Sequence, residues 1–188
     1  MLNWSFVAIL LGIALVGFLY VDAYAIRAVQ KFRLEFHPAF LHFFRAISYT
    51  PFVVTTLYII PLIFVIKFLD VYSAVALTMA CLIATGAAFA MKYIFRRVRP
   101  LGHETYLGEI DSAFPSAHTA GSFVAAFTLS VFWPAWSAPF FVLASLVALS
   151  RIYLEMHFLS DVMGGILLAY LVVNLTLDSS LLIFLGFG

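Results

Sequence analysis

The hydrophobic positions of this chain form long runs that are separated by shorter polar stretches. Each run approaches the roughly 20 apolar residues that an α-helix needs to cross a bilayer. Spanning segments must satisfy their own backbone groups, as helices or closed barrels, and unbroken apolar runs favour helices. The pattern predicts an all-α membrane protein, in one domain covering residues 1–188, with six transmembrane helices near residues 3–21, 52–69, 72–92, 116–133, 136–153 and 159–177.

One stretch departs from this pattern. Between residues 27 and 48, basic side chains and histidines are mixed with phenylalanines, as is typical of helices that lie in the membrane interface. Pro38 divides the stretch, so we expect one or two interfacial amphipathic helices. The basic side chains could gather anionic lipid headgroups, or they could only anchor the segment at the membrane surface.

The composition supports a membrane protein. Of the 188 residues, 65% are hydrophobic and 10% are charged, with a mean hydropathy of +1.10, whereas soluble domains carry about 25% charged residues. The net charge is only +1, and the expected partners are the lipid bilayer and a membrane lipid rather than a nucleic acid. The single cysteine, Cys81, excludes an intrachain disulfide. The sequence does not indicate an oligomeric state.

The basic residues and histidines are distributed unevenly between the two sides of the membrane. Six spans place the connections 22–51, 93–115 and 154–158 on one side of the membrane. All five histidines and all Lys and Arg residues except Lys67 then fall on that side. Ionisable residues at the ends of membrane helices are costly and point to function. We therefore expect one site that is assembled from three stretches of this side.

The first stretch follows the third apolar run. Lys92 and Arg99 are seven residues apart, or two helical turns, which would place both on one face as donors to phosphate oxygens. Because Arg96 and Arg97 extend the basic run, the stretch could instead be only an interfacial anchor.

The second stretch opens the fourth apolar run. Pro115 and Ser116 are helix-start signals. The unpaired N–H groups of a first helical turn, together with the Ser116 hydroxyl, can hold a phosphate, with His118 beside it. The alternative is an ordinary N-cap with a histidine at the interface.

The third stretch joins the fifth and sixth runs. If His157 and Asp161 share a helical turn, the carboxylate can accept the Nδ1 proton and leave Nε2 nucleophilic. Arg151 adds a third cation. The alternative is that His157 and Asp161 only neutralise each other, with Glu155 as another solvated partner.

Together the three stretches show Lys92-x6-Arg99-Pro100, Pro115-Ser116-Ala117-His118 and Ser150-Arg151-x5-His157-x3-Asp161. This order and spacing over residues 92–161 resembles the type 2 phosphatidic acid phosphatase superfamily. Its membrane branch includes lipid phosphate phosphatases and bacterial enzymes acting on phosphatidylglycerol phosphate, undecaprenyl pyrophosphate or lipid A.

The resemblance implies the roles of the motif residues. His157 would attack phosphorus, Asp161 would orient it and His118 would protonate the leaving oxygen, through a phosphohistidine and with neither metal nor cofactor. The phosphate oxygens would be held by Lys92, Arg99, Ser116, Ala117 and Arg151. Ala117 stands where the family usually has glycine, so we expect a formed but slightly narrower site, because alanine adds a methyl group and disfavours positive φ.

Two arguments about the orientation of the chain in the membrane disagree. The resemblance implies a bacterial cytoplasmic membrane with the active site on the extracytoplasmic face, whereas the positive-inside rule favours the cytosolic face. We expect the extracytoplasmic face.

The alternatives to a lipid phosphatase are a lipid phosphotransferase that uses the same histidine and a non-catalytic protein that binds or transports lipid phosphates.

Overall fold

The computed structural model describes residues 3–35, 38–68, 71–100 and 112–177. Within these ranges the chain is helical, with no β-strand, which confirms the all-α prediction. Residues 101–111 of the predicted connection 93–115 lie outside these ranges, as do residues 178–188.

The part of the chain that the structure describes contains nine α-helices, numbered in chain order. They are α1 Trp4–Val16, α2 Asp22–Glu35, α3 Pro38–Ser48, α4 Thr50–Val54, α5 Ile60–Phe68, α6 Val71–Phe95, α7 Ala117–Phe132, α8 Ser137–Tyr153 and α9 Leu159–Thr176. Two π-helical turns, Gly17–Val21 and Thr55–Ile59, join α1 to α2 and α4 to α5. The second turn directly precedes the helix that contains Pro61, whose ring cannot donate to the ladder.

Among the described residues, three helical segments are long and apolar enough to cross a membrane, namely Ser73–Phe95, Pro134–Tyr153 and Leu159–Thr176. Two shorter apolar helices, Trp4–Ile13 and Ala117–Phe132, accompany them. These segments correspond to five of the six predicted runs. The remaining run, 52–69, is divided between α4, the π turn and α5.

Helix α7 lies at the centre of the bundle and packs against α6, α8 and α9. The main buried cluster draws on these four helices and is rich in alanine, as expected where helices approach closely in a membrane. Helix α1 packs against α9 through Val7, Leu10 and Leu167. The four central helices therefore hold the segments that contain the three motifs.

Two glycines of α9 allow the start of α7 to approach closely. A Cβ atom at Gly165 would lie 2.8 Å from the carbonyl oxygen of Ser116, and one at Gly164 would lie 2.4 Å from the Phe114 ring. Both distances are shorter than van der Waals contact, so a side chain at Gly165 would clash with backbone, and one at Gly164 would displace the Phe114 ring. The pair brings the second motif onto the helix that begins two residues after His157.

Candidate active site

His157 lies in the connection between α8 and α9 and is only 2% exposed. Its Nδ1 atom is 2.7 Å from the carbonyl oxygen of Ala113. Since a carbonyl can only accept a hydrogen bond, Nδ1 must be the donor, and in the neutral ring Nε2 then has a free lone pair. The contact therefore leaves Nε2 as the ring nitrogen of His157 with an available lone pair.

The carboxylate of Asp161 is near this imidazole but is not its hydrogen-bond acceptor. Oδ2 of Asp161 is 3.7 Å from Nδ1 of His157 and instead accepts a 2.8 Å bond from the backbone N–H of Phe158. The prediction that His157 and Asp161 share a helical turn is wrong, because α9 begins at Leu159 and His157 lies outside it. The Asp161 side chain caps this helix. The hydrogen-bond acceptor for Nδ1 of His157, expected to be Asp161, is the carbonyl of Ala113.

Arg97 is the main charged partner of Asp161. Its guanidinium donates to Oδ1 of Asp161 and to Oδ2 of Asp22 at 2.6 Å each, and also to the hydroxyl of Ser160. The planar group lies 4.2 Å from the ring centroid of Phe158. One cation thus ties the start of α2 to the start of α9.

The main chain of Arg97 holds the segment that orients His157. Its carbonyl accepts a 2.7 Å bond from the N–H of Ala113, and its N–H donates a 2.7 Å bond to the Ser112 hydroxyl. These bonds position the Ala113 carbonyl that accepts from His157. Arg97 therefore supports the nucleophile through both its side chain and its backbone.

Burial is the main influence on the protonation of His157. Loss of hydration lowers its pKa from the ordinary 6.5 to about 4, and Arg151 and Arg99 act in the same direction. The carboxylate of Asp161 opposes them. His157 is consequently neutral at physiological pH, the state that its Nε2 lone pair requires.

The second motif begins α7, as predicted. Ser116 is the N-cap, and its fully buried hydroxyl accepts from the N–H and the hydroxyl of Thr119. Ala117 is the first helical residue and is not among the residues with positive φ, so alanine fits here without backbone strain. His118 follows, and its Nε2 atom is 3.0 Å from Oγ1 of Thr50 at the start of α4.

Three basic residues of the motifs, Lys92, Arg99 and Arg151, are between 3% and 8% exposed. Lys92 donates to the carbonyl of Ser112, and Arg151 donates to the hydroxyl of Ser48. The expectation that Lys92 and Arg99 lie on one helical face is wrong, because α6 ends at Phe95 and Arg96 has a φ of 44°.

The structure nevertheless brings these cations to the two histidines. The charged groups close enough to interact with His118 are Arg151, His157, Arg99 and Lys92. Arg151 and Arg99 also act on His157. The three stretches therefore meet in one place, where two imidazoles are surrounded by three buried cations, an environment suited to a phosphate dianion.

The family model described as the PAP2 superfamily matches residues 67–181, more than half of the chain. The chain belongs to the PAP2 superfamily. This match includes α6 to α9 and all three motifs, and it confirms the resemblance drawn from them.

Two solved structures are similar to this chain over nearly their whole length. The transmembrane PAP2-type phosphatidylglycerolphosphate phosphatase from Bacillus subtilis is 25% identical, with a TM-score of 0.66 and coverage of 92% of this chain and 91% of that chain. LpxE of Aquifex aeolicus is 26% identical, with a TM-score of 0.68 and coverage of 84% and 95% respectively. No curated protein matches the chain.

Glu155, two residues before His157, is buried and not solvated, contrary to the alternative interpretation of this stretch. It is 3% exposed, accepts a 2.7 Å bond from the side-chain amide of Gln30, and forms an ion pair with Arg33. Its φ of 55° lies in the left-handed region that favours glycine. The ion pair to α2 compensates this strain and fixes the connection that contains His157 in this PAP2 protein.

Sequence reasoning missed several residues that support the site. Asp22 carried a usable signal, since it is an isolated acidic residue at the end of an apolar run. Arg97 was hidden in a run of four basic residues. Ser48, Thr50 and Ala113 had no signal, because hydroxyl groups and backbone carbonyls acquire a role only when folding places them.

We expect Arg97→Gln to destabilise this PAP2 protein by about 3 kcal/mol, because it leaves the buried carboxylates of Asp22 and Asp161 without their cation. Denaturant unfolding in detergent micelles measures the change. Arg96→Gln is the matched control: its side chain is exposed, and its loss should change stability by less than about 0.5 kcal/mol. Equal effects of the two substitutions would contradict this role for Arg97.

The protonation of His157 can be measured directly. In protein labelled with ¹⁵N-histidine, the resonance that disappears in His157→Gln should be that of a neutral imidazole at pH 7 and remain so at pH 5.5. The proton is gained only as pH falls towards the lowered pKa of about 4. A titration centred near the ordinary value of 6.5 would show that the ring is hydrated and that this description of its environment is wrong.

Proposed function

We propose that this PAP2 protein hydrolyses a phosphate monoester or diphosphate on a membrane lipid through a phosphohistidine formed at Nε2 of His157. The observation that supports this most strongly is the bond from Nδ1 of His157 to the Ala113 carbonyl, which leaves the Nε2 lone pair free. The neutral, buried ring lies beside a second histidine and three cations. This is the arrangement that nucleophilic attack on a bound phosphate requires.

In the first step, the Nε2 lone pair of His157 forms a bond to phosphorus. The bond from phosphorus to the lipid oxygen breaks, its electron pair stays on that oxygen, and the oxygen takes a proton from His118. The phosphorylated ring becomes cationic while Nδ1–H still donates to Ala113. The Asp161 carboxylate, 3.7 Å from Nδ1, stabilises that positive charge.

In the second step, water attacks the phosphorus of the phosphohistidine. His118, now neutral, accepts a proton from the water as the new phosphorus–oxygen bond forms. The bond from phosphorus to Nε2 breaks, and its electron pair returns to His157. Inorganic phosphate is released, and both histidines are back in their initial protonation states, because the proton taken from water replaces the one that His118 gave to the lipid oxygen.

The remaining residues of the site would bind the phosphoryl group. Lys92, Arg99 and Arg151 would neutralise the charge on the equatorial oxygens, a contribution that dominates phosphoryl transfer. The first turn of α7 adds the Ser116 hydroxyl and the N–H of Ala117. Burial strengthens each of these interactions, because little water is present to screen them.

Two observations support a lipid as the substrate. The motif residues lie at or near the ends of apolar helices, three of which are long enough to cross a membrane within the described residues, and one similar structure is a transmembrane phosphatidylglycerolphosphate phosphatase. A lipid anchored in the same bilayer would deliver its phosphate at the level where the motifs meet. The proposed class is therefore lipid phosphates and diphosphates of the bilayer.

We also propose that the chain forms one membrane domain over residues 1–188 with six spans, in which α4, the π turn Thr55–Ile59 and α5 together make the second span. The side that contains the motifs would face away from the cytosol of a bacterial cytoplasmic membrane. Because this side is basic in order to bind phosphate, its charge does not follow the positive-inside rule.

Phosphate release from a panel of lipid monophosphates and diphosphates tests the proposal. In excess EDTA, the purified wild-type protein should release phosphate from at least one of them, and His157→Ala should release none, because the nucleophile is lost. Lys67→Ala, at the opposite end of the bundle, should retain wild-type activity. Release that survives in His157→Ala, or that EDTA abolishes, would contradict the proposal.

A further inference from the structure

Two hydroxyl groups from the junction between α3 and α4 contact two different motif residues. Oγ1 of Thr50 is 3.0 Å from Nε2 of His118, and the Ser48 hydroxyl accepts from the Arg151 guanidinium. The junction lies outside the family match, which begins at residue 67. It therefore adds groups to the site that the three motifs do not include.

The position of this junction is fixed by packing on both sides. Ile47 and Val53 flank it, and both belong to a buried cluster that includes Ala125 of α7 and Val147 of α8. Helix α3 packs against α8, and α4 packs against α7. Thr50 and Ser48 are thus held against the helices that supply His118 and Arg151, and the two contacts do not depend on a mobile loop.

The next step rests on the proposed function, in which His118 protonates the leaving oxygen. That oxygen must come within hydrogen-bond distance of a nitrogen of the His118 ring. The Thr50 hydroxyl already lies at this distance from Nε2. An oxygen that approaches Nε2 therefore comes into contact with Thr50 as well.

We propose that Thr50 is a catalytic residue that contacts the leaving-group oxygen and holds the His118 ring for proton transfer to it. The Thr50 hydroxyl accepts from Nε2–H before the reaction and donates to the lipid oxygen as negative charge develops there. It keeps its own proton throughout, since the transferred proton comes from His118. Ser48 acts differently, because it orients Arg151 and so affects the phosphoryl oxygens.

This division of roles predicts a dependence on the leaving group. The alkoxide of a lipid alcohol is a strong base and needs a proton as it departs, whereas p-nitrophenolate is a weak base and departs without one. Loss of Thr50 should therefore slow the hydrolysis of an alkyl phosphate selectively. Loss of Ser48 should slow both reactions alike, because both transfer the same phosphoryl group.

The experiment compares the full-length wild-type protein with Thr50→Val, Thr50→Ser and Ser48→Ala in detergent micelles. The kcat for phosphatidic acid and the kcat for p-nitrophenyl phosphate are measured for each. We expect Thr50→Val to lower the phosphatidic acid value by about tenfold or more, part of what general acid catalysis contributes, and to leave the p-nitrophenyl phosphate value near wild type. Thr50→Ser, which keeps the hydroxyl, should restore the phosphatidic acid value.

Several outcomes would overturn the inference. Equal losses on both substrates in Thr50→Val would show a purely structural role, and no loss on either would show that Thr50 does not take part. The p-nitrophenyl phosphate rate reports in the same sample whether the variant has folded. If the wild-type protein released phosphate from no lipid of the panel, the proposed function would fail, and this inference with it.

Discussion

Arg97 places a full positive charge where its side chain is only 16% exposed, and the surrounding structure is arranged to meet that charge. The carboxylates of Asp22 and Asp161 accept hydrogen bonds from its guanidinium, and its backbone is hydrogen-bonded to Ser112 and Ala113. A buried cation must be matched by anions and hydrogen bonds or it destabilises the fold. The need to satisfy Arg97 therefore aligns the end of α6, the start of α2, the start of α9 and the segment before α7.

The orientation of His157 is a consequence of this alignment. Arg97 is hydrogen-bonded to Ala113, whose carbonyl accepts a hydrogen bond from Nδ1 of His157. This bond determines that Nε2 is the ring nitrogen with an available lone pair. On the opposite side of the connection, the ion pair between Glu155 and Arg33 holds the backbone at a φ of 55°. These supports come from α2 and the end of α6, and they hold an imidazole that is itself almost fully buried.

Much of the fold and the site followed from the sequence, because long apolar runs and motif spacing are strong signals. The limits of α7, α8 and α9 lie within a residue or two of the predicted runs. The errors arose where one residue decides the path of the backbone. The left-handed conformation of Arg96 separates Lys92 from Arg99, and the start of α9 at Leu159 separates His157 from Asp161. Spacing alone cannot locate such helix ends, since tertiary partners such as Arg97 determine them.

The identity of the phosphorylated nitrogen tests the central claim most directly. The reaction with a lipid monophosphate can be quenched in alkali, and the protein digested and examined by mass spectrometry and ³¹P NMR. Because Nδ1 donates a hydrogen bond to the Ala113 carbonyl, we expect the phosphate on Nε2 of His157. Phosphate on Nδ1 of His157, on another residue, or on no residue under conditions of turnover would contradict it.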